Sequence, residues 1–206
     1  MYYGEKFNAW THLVGALLAL TGAVWLLLAA LPSGDGWKIF SVAVYGATLV
    51  MLYSISTIYH SVRGRAKNIL RKLDHLSIYL LIAGSYTPFC LISLRGPWGW
   101  WLFAIVWSLA VIGMLQEIKP RSPARILSLV IYAVMGWIVL VAINPLLASL
   151  GMAGFLWLAA GGVFYTAGIV FFAFDERFRH WHGIWHLFVI AGSLAHATML
   201  ADQKII

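Results

Sequence analysis

Two histidines near the C-terminus, His182 and His186, stand four residues apart in the run His180-Trp181-His182-Gly183-Ile184-Trp185-His186. On a helix both rings leave the same face with Cβ atoms about 5–6 Å apart, so one metal ion can bridge them. The pair supplies only two ligands, and a third must come from elsewhere in the chain. Gly183 follows His182, so the run lacks the glutamate of a His-Glu-x-x-His protease. A second reading of the same residues makes them amphipathic anchors in the headgroup zone, beside Trp181 and Trp185. Residues 187–200 are apolar except for Ser193, His196 and Thr198. The helix that carries the pair therefore enters a membrane, where an ionisable ring is expensive and by default functional.

The elements that must position the pair are set by composition. With 206 residues, 62% hydrophobic and 10% charged side chains and a mean hydropathy of +0.86, the chain uses lipid as its solvent. That excludes a soluble globular domain, and one membrane domain over residues 1–206 accounts for the whole chain. The net charge of +7 is carried in short loops between apolar runs. It reads as an orientation signal facing anionic lipid headgroups, not as a nucleic-acid surface. Cys90 is the only cysteine, which excludes an intrachain disulfide and a cysteine-based zinc site. The first apolar run lacks a basic leader and a small-residue cleavage site, so it is expected to remain as a spanning helix.

The expected architecture is an all-α integral membrane protein, a bundle of seven transmembrane helices. The spans fall at about 11–31, 37–59, 73–93, 98–116, 126–143, 152–174 and 182–200, lengths that suit a hydrocarbon core about 30 Å thick. Breaker residues at 32–36, Arg95-Gly96-Pro97 and Asn144-Pro145 separate successive spans, and a charged loop is expected over 61–72. Pro88 lies inside the third span, where neighbouring helices can satisfy the freed carbonyl. Gly161, Gly162 and Gly168 allow close packing of the sixth. Of the 14 Lys and Arg residues, 11 fall on the N-terminus and the second, fourth and sixth loops, leaving Lys38, Arg95 and Lys204 opposite. Positive loops stay in the cytoplasm, so the expected protein is a multi-pass inner (plasma) membrane protein with its N-terminus inside and its C-terminus outside.

In that orientation four helices deliver His or Asp to one cytoplasmic-side layer: His12, His60, Asp74, and the pair His182 and His186. Three neutral imidazoles with an open fourth position form a recognised catalytic zinc arrangement. Asp74 is the only acid within a span at that depth and is the candidate general base. Ser56, one turn before His60, could orient a ligand or a water; more often, a mid-helix serine bonds its own i−4 carbonyl. His75 points about 100° away from Asp74 and reads as interfacial. His180 precedes the helix and points off the 182/186 face. His196, about 21 Å along the helix from His182, reads as a hydrogen-bonded histidine near the outer interface.

Together these residues resemble the progestin and adiponectin receptor family and its bacterial branch, hemolysin III. Glu5-x-x-Asn8-x-x-Thr11-His12 resembles the family's entry motif into the first span. Ser56-x-x-x-His60 resembles its second-span motif, and Asp74 its third-span acid, followed by Ala83-Gly84-Ser85-Tyr86-Thr87-Pro88. Gly161-Gly162 with Tyr165 and Gly168 resembles its sixth span, and His182-x-x-x-His186 with His196 its seventh. The resemblance covers nearly the whole chain. It implies a seven-helix fold with the N-terminus inside and a zinc ion held by His60, His182 and His186, with Asp74 contacting the water on the zinc. Relatives include alkaline ceramidases, which hydrolyse a lipid amide at a similar site.

Three functions compete. The first is an intramembrane zinc hydrolase of lipid amides or esters, with a hydrocarbon-lined cavity for an acyl-chain substrate drawn from membrane lipids. The second is a zinc-stabilised receptor or sensor of membrane lipid state. The third is the cytolytic pore of the family's name, against which no span shows a polar stripe fit to line a water channel.

Overall fold

The computed structural model describes residues 1, 4–118 and 125–202, and every regular element among them is helical. The chain forms α1 (Lys6–Ala30), α2 (Gly36–Ser61), α3 (Arg65–Pro88), α4 (Pro97–Ile118), α5 (Arg125–Trp137), α6 (Ile143–Ala173) and α7 (Trp181–Asp202). Six stretches among the described residues are long and apolar enough to cross a membrane: Lys6–Ser33, Gly36–Ser61, Arg65–Ser93, Pro97–Ile118, Ile126–Ala173 and Trp181–Ala201. The surface agrees, since large apolar side chains such as Leu17, Leu28, Trp101 and Met152 point outward. The protein is therefore a multi-pass membrane protein.

Local chemistry sets the ends of these helices. Asp35 caps α2, its Oδ1 accepting the Trp37 amide at 2.9 Å, and both carboxylate oxygens also accept from Arg95 at 3.0 Å. Pro97 opens α4, where a missing N–H costs nothing. After Pro88 the third helix continues as a π-helical turn, Phe89–Ser93, in which the Leu94 amide reaches back to the Phe89 carbonyl at 2.8 Å. The expected loop over 61–72 is shorter than read. Only 62–64 separate α2 from α3, so Lys67, Arg71 and Lys72 stand on a helical extension that carries Asp74. The fourth-loop residues 119–124 and Lys204 lie outside the described residues.

The stretch 126–173 differs most from expectation. Asn144-Pro145 does not end a helix, because a 3₁₀ segment, Ile138–Ala142, precedes it and Pro145 falls in the first turn of α6, where proline is tolerated. The hydroxyl of Tyr86 splints the junction, donating to the Gly136 carbonyl at 2.9 Å and accepting from the Val139 amide at 3.2 Å. The break comes instead at Gly151, at φ 66° and ψ 177°, a left-handed conformation that only glycine adopts cheaply. There the chain doubles back: Trp137 Nε1 donates to Thr166 Oγ1 at 2.9 Å, and these residues lie almost equally far before and after Gly151. A straight helix would hold them about 44 Å apart.

Helix α7 is held against α2 and α6 by hydroxyls around Ser193. Tyr53 shares a 2.7 Å hydrogen bond with Ser193 Oγ and donates to the Val189 carbonyl at 3.3 Å. Tyr45 donates to the Ser193 carbonyl at 3.0 Å, and Tyr165 of α6 meets Ser193 Oγ at 2.9 Å. These bonds set the register at which the last turn of α2 faces the first turns of α7.

Candidate metal centre

His60 sits in the last turn of α2, and His182 and His186 occupy the first turns of α7. The packing brings one ring nitrogen from each to within 4.8 Å of the others. His60 and His186 are buried, at 2% and 0% exposure, and His182 is half-buried.

Each ring is gripped by its Nδ1. His60 Nδ1 donates to Glu5 Oε2 at 2.6 Å, and His182 Nδ1 donates to Asp175 Oδ2 at 2.5 Å. His186 Nδ1 faces Thr11 Oγ1 at 3.0 Å and the Asn8 carbonyl at 3.2 Å. Thr11 spends its own proton on that carbonyl at 2.8 Å, so toward His186 its oxygen accepts. Carboxylates and carbonyls only accept, so all three rings carry their proton on Nδ1 and keep a lone pair on Nε2. The three Nε2 atoms are buried and have no hydrogen-bond partner among the described residues. Three lone pairs left unmet beside one another, with every opposite nitrogen tied by an oxygen acceptor, fit the ligand shell of a metal ion. An all-imidazole set suits zinc, copper, iron or nickel.

The sequence signal for His60, His182 and His186 was their shared depth; the residues that orient them carried a fainter one. Glu5, Asn8 and Thr11 belong to the entry motif, but their spacing does not say which ring each holds. Asp175 reads in sequence as one charge of a loop. Gly183, where a protease would carry its glutamate, is explained by crowding. A Cβ there would collide with the Phe7 ring and lie 2.9 Å from Asn8 Oδ1, displacing the segment that holds His186.

Asp74 is buried, at 5% exposure, and lies outside the three-nitrogen cluster. It lines a cavity of about 160 Å³ enclosed mainly by α3, α5, α6 and α7. Ser56 Oγ is buried and makes no hydrogen bond among the described residues, so it does not bond its own i−4 carbonyl. His12 is 1% exposed and stacks on His186 with ring centroids 3.4 Å apart and planes inclined by 16°. Imidazoles donate in the ring plane, so two stacked rings cannot converge on one ion, and His12 is not a fourth ligand. His75 pairs with Glu117 at 2.7 Å, away from the cluster, and His180 packs edge-on to Phe7. His196 is buried at the far part of the cavity, bonded through Nε2 to the Leu158 carbonyl at 3.3 Å.

The family model described as "Haemolysin-III related" matches residues 2–197. The chain is 43% identical over 192 residues to the Hemolysin-3 homolog of Bacillus subtilis (strain 168), covering 93% of this chain and 90% of that one. It is 43% identical over 190 residues to Hemolysin-3 of Bacillus cereus, covering 92% and 86%. To the human monocyte to macrophage differentiation factor it is 30% identical over 204 residues, covering 94% and 82%. With a family match across nearly its whole length, the chain belongs to the haemolysin-III-related family, the bacterial branch of the progestin and adiponectin receptor family.

Proposed function

We propose that His60, His182 and His186 hold one zinc ion and that the protein is an intramembrane hydrolase of lipid amides or esters. The observation that carries this reading is the contact of Asp74 and His12 with a largely apolar cavity. Zinc held there would supply Lewis-acid chemistry, polarising a carbonyl and lowering the pKa of water. Asp74 would serve as the general base, taking a proton from water and returning it to the leaving group. Ser56, one turn before His60, orients the water with its unengaged hydroxyl. The cavity takes the acyl chain: its wall hydroxyls on Ser85, Tyr86 and Thr166 are spent on backbone carbonyls and leave apolar surface.

The same reading has seven crossings, with the N-terminus and the zinc layer cytoplasmic and the C-terminus outside. Dividing 126–173 at Gly151 leaves about 25 and 22 residues, each enough for one crossing. The excess of Lys and Arg on the N-terminal side supports the orientation.

A sensor reading draws on a different observation. Glu5, Asn8 and Thr11 grip His60 and His186, so a metal ion would tie α1, α2 and α7 into one unit without any chemistry. Cytolysis, suggested by the name of the Bacillus relatives, finds no support in an apolar cavity. The deciding experiment measures fatty-acid release from a panel of lipid amides and esters by purified protein in nanodiscs, with metal content determined in parallel. Hydrolysis that chelation and His60→Ala both abolish supports the enzyme; a metal-loaded protein without turnover supports the sensor.

A further inference from the structure

The cavity is lined by His12, Asp74 and Trp185, but by none of the three clustered histidines. His12 therefore occupies a threshold: one face stacks on His186, and the residue also borders the space assigned to the acyl chain. The edge-on contact with Tyr53, at 5.0 Å between centroids, helps hold the ring there. Neither ring nitrogen of His12 has a hydrogen-bond partner among the described residues, although the residue is 1% exposed. Buried polar atoms are nearly always paired, so a core imidazole with both nitrogens unmet asks for a ligand. Whichever tautomer it takes, the ring carries at least one N–H.

We propose that His12 binds the polar head of an acyl chain in the cavity, donating a hydrogen bond to its carbonyl or carboxylate oxygen beside His60, His182 and His186. This rests on the metal reading and on the cavity as an acyl-chain site, but not on turnover. The ring position accounts for both properties that a packing role leaves unexplained. Stacking sets His12 next to the ligand cluster without allowing it to join that cluster. Its unmet N–H provides the polar contact that an apolar wall cannot.

The test uses full-length protein in nanodiscs, loaded with Co²⁺ and titrated with laurate, reading the visible absorption of the cobalt. Laurate should perturb the wild-type spectrum. His12→Phe, which keeps an aromatic ring and removes both nitrogens, should retain its cobalt and need about ten-fold more laurate. His12→Gln, which restores an N–H, should bind laurate more tightly than His12→Leu; this pair also serves if His12→Phe does not fold. Equal laurate affinity in wild type, His12→Phe and His12→Leu overturns the proposal. So does loss of cobalt from His12→Phe or His12→Leu, which would make His12 a support for the metal ligands. A wild type that holds cobalt but does not respond to laurate overturns it as well. A wild type that takes up no metal refutes the metal reading itself, whereas absence of lipid hydrolysis leaves the proposal standing.

Discussion

Glu5 holds His60 by its Nδ1 at 2.6 Å while its second carboxylate oxygen takes Lys67 at 2.8 Å. Burial alone would raise the pKa of Glu5, but the hydrogen bonds from His60 and Lys67 outweigh it and hold the carboxyl well below the usual range. A depressed carboxylate contributes its stability above the unfolded pKa and loses it only as pH falls through the lower folded value. Glu5 therefore remains an anion at neutral and mildly acidic pH, and the anion keeps the His60 proton on Nδ1. Glu5→Gln should weaken metal binding by about 10–100-fold, the usual cost of losing a group that orients a metal-bound histidine. Competition with a chromophoric chelator measures this, with Asp35→Asn as a control remote from the cluster. Equal affinities for Glu5→Gln and wild type would remove Glu5 from the metal shell.

The second prediction concerns the ligands. His60→Ala, His182→Ala and His186→Ala should each lose the metal, whereas His180→Ala and His196→Ala should keep about one ion per chain. The contrast follows from Nε2, which is unmet in the first three but bonded to the Leu158 carbonyl in His196. A metal bound only by the folded state also raises its stability, so chelation should lower the wild-type melting temperature and leave that of His182→Ala unchanged. Full metal content in purified His182→Ala would sink the ligand assignment.

Depth and helical spacing made the cluster legible in the sequence: an i, i+4 pair on one helix and a histidine at the matching end of another need little else. What they could not report is rotation about each helix axis. His12 shares the layer of the other three rings, yet whether it joins their nitrogens or stacks on one of the rings depends on the docking of α1 against α7. Asp175 was obscured for another reason. It lies before a loop that closes through His180 at φ 70°, and no local rule says that such a turn returns a carboxylate to a ring seven residues later. The helix break in 126–173 lies at Gly151, directly before the start expected for the sixth span, and not at Asn144-Pro145, although the latter is the stronger breaker signal. The signal lost its force once those residues fell in a first helical turn.

Topology can be tested directly. Counting 126–173 as one crossing would return the C-terminus to the side of the N-terminus, and two crossings hinged at Gly151 would put it opposite. A periplasm-type reporter fused after Ile206 should be active only outside the cytoplasm. A cysteine introduced at Gly151, in a chain with Cys90 replaced by alanine, should react with an impermeant thiol reagent from that same outer side. Cytoplasmic reporter activity after Ile206 would overturn the seven-crossing arrangement and its orientation together.

Asp74 separates enzyme from sensor. Asp74 is 5% exposed and lines the cavity, and the three-nitrogen cluster, from which it stands apart, contains imidazoles alone. Asp74→Asn preserves the shape and part of the hydrogen-bonding capacity of the side chain, but an amide cannot take up a proton from water. If the protein hydrolyses a lipid amide or ester, turnover should fall by about 10²–10⁴-fold, the range for loss of a general base. Metal content should hardly change, because Asp74 stands apart from the three nitrogens that would hold the ion. A sensor makes the opposite forecast: no turnover by wild type, and an effect of Asp74→Asn confined to stability or conformation. The measurement is lipid hydrolysis by the two purified proteins with metal content in parallel, and with His60→Ala to expose any contaminating lipase. Equal turnover in wild type and Asp74→Asn, absent in His60→Ala, would leave the metal in the reaction and take Asp74 out of it.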